Sequence, residues 1–221
     1  MNNIYLLSYP KSGSNWLSYI IENCFGVEVR GATDEYYVPC HTEHIYDKHC
    51  FVSKGHGHIK TEYIDYDGMI LLLRNYKRNM FSFRGNLNDD NKDFQNVNNK
   101  IDYIHNIQRY ENFNKSKLVI YYEDLIADIF NTIHKLNLFF ASFGIEGNIE
   151  SFYGEIDTHR KNSLSKYNLN PKSKGNPKFY DGKLNGERCK EIDGFVKSKY
   201  PYLFQKYLSR YSEYSERNYE Y

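Results

Sequence analysis

Residues 4–21 read IYLLSYPKSGSNWLSYII, and this stretch decides the fold. Ile4 to Ser8 is a short apolar run cut off by Tyr9-Pro10, the pattern of a buried strand. Lys11-Ser12-Gly13-Ser14 is polar and turn-like. Beyond it Trp16, Leu17, Ile20, Ile21 and Cys24 recur on one helical face, with Ser14 or Asn15 as the expected N-cap. The order is therefore strand, polar loop, helix. The first N–H groups of a helix lack intrahelical partners and carry partial positive charge, so such a loop is a candidate anion site. Gly13 lets the backbone approach a phosphate or sulfate closely, Lys11 adds a full charge, and Ser12 and Ser14 add hydroxyls. The spacing is not the G-x-x-x-x-G-K-[ST] of a Walker loop. The plainer reading is an ordinary strand–helix turn with a surface lysine.

The same alternation continues along the chain. Phe51 to Ser53 and Met69 to Leu73 read as strands, the latter (MILLL) stopping at Arg74-Asn75 before a helix that opens near Lys77. The Asn/Asp-rich stretch 86–99 reads as a mobile loop, Ile101 to Phe113 as a helix and Leu118 to Tyr121 as a strand. Leu125, Ile126, Ile129, Phe130, Ile133, Leu136 and Phe140 predict one amphipathic helix from Glu123 to Phe140. Residues 160–183 hold seven Lys or Arg with two Pro and two Gly, and read as a long basic loop. Glu187 to Lys199 reads as a helix broken by Pro201. Short apolar strands alternating with amphipathic helices predict an α/β domain, a central mostly parallel sheet flanked by helices in three layers. We expect one domain over 1–210 and a polar, fraying tail over 211–221. Ligands of such sheets bind at the carboxyl ends of the strands, which are followed here by Lys11–Ser14, Lys54–His58 and Arg74–Lys77.

Composition narrows the function classes. The chain has 221 residues, with 29 Lys+Arg against 28 Asp+Glu. A net charge of +1 makes neither nucleic acid nor an anionic membrane the default partner. No apolar run reaches membrane-spanning length, and Met1-Asn2-Asn3 opens no secretory signal, so a cytoplasmic location is expected. Four unevenly spaced cysteines (Cys24, Cys40, Cys50, Cys189) read as free thiols. Cys40-His41, His44 and His49-Cys50 are residue types zinc accepts, but they form no paired clip, and no metal is expected. Tyr 23 and Asn 24 against Ala 3 read as an AT-rich coding bias.

Tyr9-Pro10-Lys11-Ser12-Gly13-Ser14-Asn15-Trp16 closely resembles the 5′-phosphosulfate loop, YPKSGTTW, of the cytosolic-type sulfotransferases. Ser14 and Asn15 replace two threonines. A second motif of that family, R-N-x-K-D-x-x-x-S after a central strand, is matched by Arg74-Asn75-Tyr76-Lys77-Arg78-Asn79-Met80-Phe81-Ser82, with Arg78 where Asp is common. Tyr122-Glu123-Asp124-Leu125 is similar to Y-E-D-[LM], and Lys54-Gly55-His56 to K-T-H, with a glycine that loosens the segment. Lys172-Ser173-Lys174-Gly175 resembles the R-K-G element near the C-terminus; Arg160-Lys161-Asn162 is a rival placement. The motifs occur in the family's order over about residues 4–200.

The resemblance implies a P-loop-like sulfotransferase fold. It also implies transfer of a sulfuryl group from 3′-phosphoadenosine-5′-phosphosulfate (PAPS) to a hydroxyl or amine, releasing the 3′,5′-bisphosphate PAP, without a metal. His56 is then the base, with His58 as the alternative; Lys11 meets charge on the leaving phosphate and Lys54 the sulfuryl oxygens. The nucleotide would be held by Lys11, Ser12, Gly13, Ser14 and Asn15. Trp16 and Tyr122 would lie at the adenine, and Arg74, Ser82, Lys172, Lys174 and Gly175 at the 3′-phosphate. The acceptor, a small molecule, glycan or peptide, and the oligomeric state are not legible. A P-loop small-molecule kinase shares the strand–loop–helix anion site, and an inactive PAP(S)-binding module is the non-enzyme alternative.

Overall fold

The computed structural model describes residues 2–31, 50–56, 65–79, 103–168 and 186–212. Five strands form one sheet in the order β2-β3-β1-β4-β5: β1 (Asn2–Ser8), β2 (Glu28–Gly31), β3 (Cys50–Gly55), β4 (Gly68–Leu73) and β5 (Ser116–Tyr121). Every pairing is parallel. The register sets Leu7 beside Gly55, Ser8 beside Leu72 and Leu73 beside Tyr121. The three expected polar segments therefore do leave the sheet at one edge. From β1 the chain passes through α1 (Ser14–Phe25) to β2 on one side, whereas β4 leads through α2 (Tyr103–Asn112) to β5 on the other. The strand order thus reverses beside β1, and such a switch point opens a crevice at the carboxyl end of the sheet.

Helices cover both faces, which gives three layers. Ile4, Leu6, Ile70 and Leu72 face a core closed by α1, α3 (Tyr122–Ala127), α4 (Ile129–Ala141) and α5 (Ile149–Gly154). Tyr5, Leu7, Leu71 and Leu73 face a second core closed by α2, α7 (Gly186–Lys199) and a C-terminal strap of short helical turns, Pro201–Leu203, Phe204–Leu208 and Ser209–Tyr211. β4 is buried at all six positions because both faces are covered. Each fully buried aliphatic side chain contributes roughly 1.5–3 kcal/mol.

Several elements depart from the sequence reading. β2 is an edge strand of four residues, too short for its alternation to be read. The helix expected over Glu123–Phe140 is two, because Asp128 leaves helical geometry and its side chain caps α4 on Asn131 N–H. Part of the expected basic loop is helical: α6 (Ile156–Asn168) packs on α1 through Glu22–Lys166 and Tyr19–His159. Pro201 ends α7 and then sits in the first turn of the next segment, where its missing N–H costs nothing. Tyr211, assigned by sequence to the polar tail, is 5% exposed and belongs to the second core. The stretch 86–99 and residues 169–183 of the basic loop lie outside the described residues.

Lys77 is 2% exposed and carries an ion pair into the second core, its Nζ lying 3.0 Å from both carboxylate oxygens of Asp193 on α7. Tyr76 donates its hydroxyl to the same carboxylate. A buried charge that loses its partner is strongly destabilising, whereas an apolar replacement of both is tolerated. Asp193→Ala should therefore lower stability by about 3–5 kcal/mol in urea unfolding. Lys77→Met combined with Asp193→Leu should recover most of that loss.

Candidate functional site

The loop after β1 is shaped by two left-handed residues, Lys11 (φ 66°) and Gly13 (φ 87°). Gly13 is needed twice. Its φ suits glycine, and a Cβ there would overlap the ring of Tyr122. Gly13, not Ser14 or Asn15, is the N-cap of α1, and no side chain caps that terminus. Ser12 N–H closes the turn on Tyr9 O at 3.2 Å, and Leu17 N–H begins the helix on Gly13 O at 3.3 Å. Lys11 and Asn15 are exposed, Ser14 is 7% exposed and Ser12 is fully buried.

Ser12 therefore faces the protein, and Asn79 explains why. With its amide oriented to satisfy both ends, Asn79 donates to the carbonyls of Pro10 and Lys11 at 3.0 Å each and accepts from Ser12 Oγ at 2.8 Å. Arg74 donates from Nη1 to the same Lys11 carbonyl at 2.8 Å, and its guanidinium lies 4.6 Å from the centroid of Tyr122. Arg74, Tyr122 and Gly13 thus meet at the loop.

β3 ends at the same place. Lys54 Nζ donates to Asn15 Oδ1 at 2.6 Å. Burial pushes the Lys54 amine down to about 8, with Glu22 opposing that shift and Lys166 adding to it. His56 follows directly. Its Nδ1 lies 3.1 Å from Ser8 O and 3.2 Å from Ser8 Oγ. A carbonyl only accepts, so Nδ1 carries the hydrogen and Nε2 is the basic nitrogen. Asn106 on α2 donates to the same Ser8 carbonyl at 3.4 Å. Gly55 does not loosen this segment: it is the last residue of β3, and a Cβ there would collide with the hydroxyl of Tyr5.

Trp16 is half-buried, stacked on Tyr19 at 5.7 Å and 21° between planes. Of the rival basic segment, Arg160 pairs with Asp157 at 3.6 Å, within α6. His58, Ser82, Lys172, Lys174 and Gly175 lie outside the described residues, as do Cys40, His41, His44 and His49. Cys24, Cys50 and Cys189 are buried free thiols. Among the described residues no group of three His, Cys, Asp or Glu side chains could hold a metal ion, and no helix is long and apolar enough to cross a membrane.

Sequence reasoning missed Asn79 and Asn106, whose acceptors are main-chain carbonyls of the first loop and of the end of β1. Glu123 lies in the first turn of α3. Its Oε1 accepts from Asn75 N–H at 2.9 Å and its Oε2 from Tyr211 Oη at 2.7 Å. No protein-family model matches this chain, and a search of curated proteins finds no match.

The geometry at Gly55 can be tested. Gly55→Thr should destabilise the protein by about 1–3 kcal/mol through overpacking. Tyr5→Phe in the same chain should return part of that loss, read by thermal unfolding.

Proposed function

We propose that the chain is a sulfotransferase of the cytosolic type, with the P-loop-like fold of that family, moving a sulfuryl group from PAPS to a hydroxyl or amine. The observation that carries this reading is the histidine at the mouth of the anion loop. Ser8 is the last residue of β1 before the loop, and its carbonyl fixes the His56 tautomer with Nε2 as the base. An anion loop alone suits many phosphate ligands. An anion loop joined to an oriented base and a cation suits transfer to a nucleophile that must lose a proton.

In this reaction the acceptor oxygen or nitrogen forms a bond to sulfur as the bond from sulfur to the 5′-phosphate oxygen breaks. The acceptor proton goes to His56 Nε2. The charge left on the 5′-phosphate of PAP is met by the first amides of α1 and by Lys11. Lys54, held on Asn15, stabilises the sulfuryl oxygens. Arg74 takes the 3′-phosphate as a forked donor, with Ser82, Lys172, Lys174 and Gly175 as further contacts. Tyr122 and Trp16 offer aromatic faces to adenine.

Trp16 is the chain's only tryptophan, so its fluorescence reports the loop. PAP should quench it saturably at much lower concentration than ATP with Mg²⁺. A preference for ATP with Mg²⁺ would indicate the kinase instead, and a response to neither, confirmed by calorimetry, would refute both. His56→Ala should keep PAP binding and lose transfer by roughly 10²–10⁴-fold; full binding with unchanged transfer would remove His56 from the mechanism.

Lys54 gives a pH signature. Its amine is charged below about 8 and loses the proton above it. Transfer should therefore fall as pH rises through about 8, and Lys54→Arg, always charged, should abolish that alkaline limb.

A further inference from the structure

The peptide group that follows Arg74 is held at both ends. Its carbonyl, Arg74 O, accepts from the hydroxyl of Tyr103 on α2 at 2.7 Å. Its N–H, that of Asn75, donates to Glu123 Oε1 on α3 at 2.9 Å. The other carboxylate oxygen of Glu123 accepts from Tyr211, at the end of the C-terminal strap, at 2.7 Å. Tyr211 is itself 5% exposed, and burial together with the Glu123 charge pushes its phenol upward, so it remains a donor. The strap is anchored independently on both sides of this contact. Arg210 grips Asp124 with two hydrogen bonds of 2.6 and 3.0 Å, and Lys77 Nζ donates to the Tyr211 carbonyl at 2.5 Å.

Glu123 thus ties the main chain beside Arg74 to the strap, one carboxylate oxygen on each. Remove the Tyr211 hydroxyl, and Glu123 Oε2 loses the donor that fixes the carboxylate, so its hold on the peptide that follows Arg74 loosens. We infer that Tyr211 and Glu123 are positioning residues for Arg74, so that the C-terminal strap sets the affinity of the site for a ligand's 3′-phosphate. The inference rests on the nucleotide reading above.

The experiment compares PAP with adenosine 5′-monophosphate, which lacks the 3′-phosphate, on the full chain by calorimetry. Wild type should prefer PAP. Tyr211→Phe should weaken PAP roughly tenfold, the effect of one hydrogen bond to a charged group, while the monophosphate binds as before. Glu123→Gln should act in the same direction. Lys206→Ala alters the same strap through its contact with Glu111, away from Arg74, and should leave the ratio of affinities unchanged. Thermal unfolding establishes that each variant is folded. Equal weakening of both ligands in Tyr211→Phe would mean a general structural effect and overturn the inference, as would an unchanged ratio. If wild type shows no preference for PAP, the assignment of Arg74 fails first and this inference with it; a wild-type preference that Tyr211→Phe retains overturns the inference alone.

Discussion

A loop that offers its N–H groups to an anion must turn carbonyl oxygens the other way, and those oxygens need donors. This constraint organises the centre of the molecule. Ser8 O receives His56 from β3 and Asn106 from α2. Lys11 O receives Arg74 from the end of β4 and Asn79 from the turn beyond it, and Asn79 also reaches Pro10 O. An unpaired buried carbonyl costs about 1–3 kcal/mol, which bears most on the fully buried Ser8; the donors to it and to the loop arrive from three other segments of the chain. The same contacts bring those elements to the site. His56 acquires its tautomer, and Arg74 its position, from carbonyls of the loop they serve. Fold and site are built from one set of hydrogen bonds.

This division explains what the sequence disclosed. The strand, the loop and α1 were legible because their signals are local: an apolar run, Pro10, Gly13 and a helical period. The common edge followed from parallel pairing alone. The donors were not legible. Asn79 reads as a polar residue in a helical turn, and Asn106 as one more asparagine in a chain that holds 24. Their acceptors, Lys11 O and Pro10 O for the first and Ser8 O for the second, are remote in sequence. The break at Asp128 was readable in principle, since an aspartate before a helical repeat is an N-cap signal, but Leu125 and Ile126 continue the apolar period across it. α6 was hidden for the opposite reason. It is polar almost all round and joins α1 through Glu22, Tyr19 and their partners rather than an apolar stripe.

The tyrosine content, read from composition as coding bias, has a structural consequence. Among the described residues, the core closed by α1 and α4 is aliphatic and phenylalanine-rich with one buried tyrosine, Tyr19, whereas the core closed by α2, α7 and the strap buries eight. On that second face the rings fill space as apolar residues would, and four of the hydroxyls reach polar groups that an apolar core would strand. Tyr103 serves Arg74 O, Tyr76 serves Asp193, Tyr211 serves Glu123 and Tyr207 serves Glu111. A bias that is neutral on the surface becomes wiring when it falls on a buried face.

The two faces of the sheet therefore bear differently on the site. On the first, losing a methylene costs packing energy and leaves the loop's hydrogen bonds alone. On the second, a tyrosine hydroxyl can be lost with almost no change in volume, yet it strands a charged or main-chain acceptor within a few bonds of Arg74. Buried polar networks behave this way, since a partly satisfied member finds another partner or forces the network to shift. Glu123 is such a member, and its other oxygen holds the peptide that follows Arg74. Substitutions that change ligand affinity more than stability should thus concentrate on α2, α3 and the strap, at residues remote in sequence from the loop proposed to bind the anion.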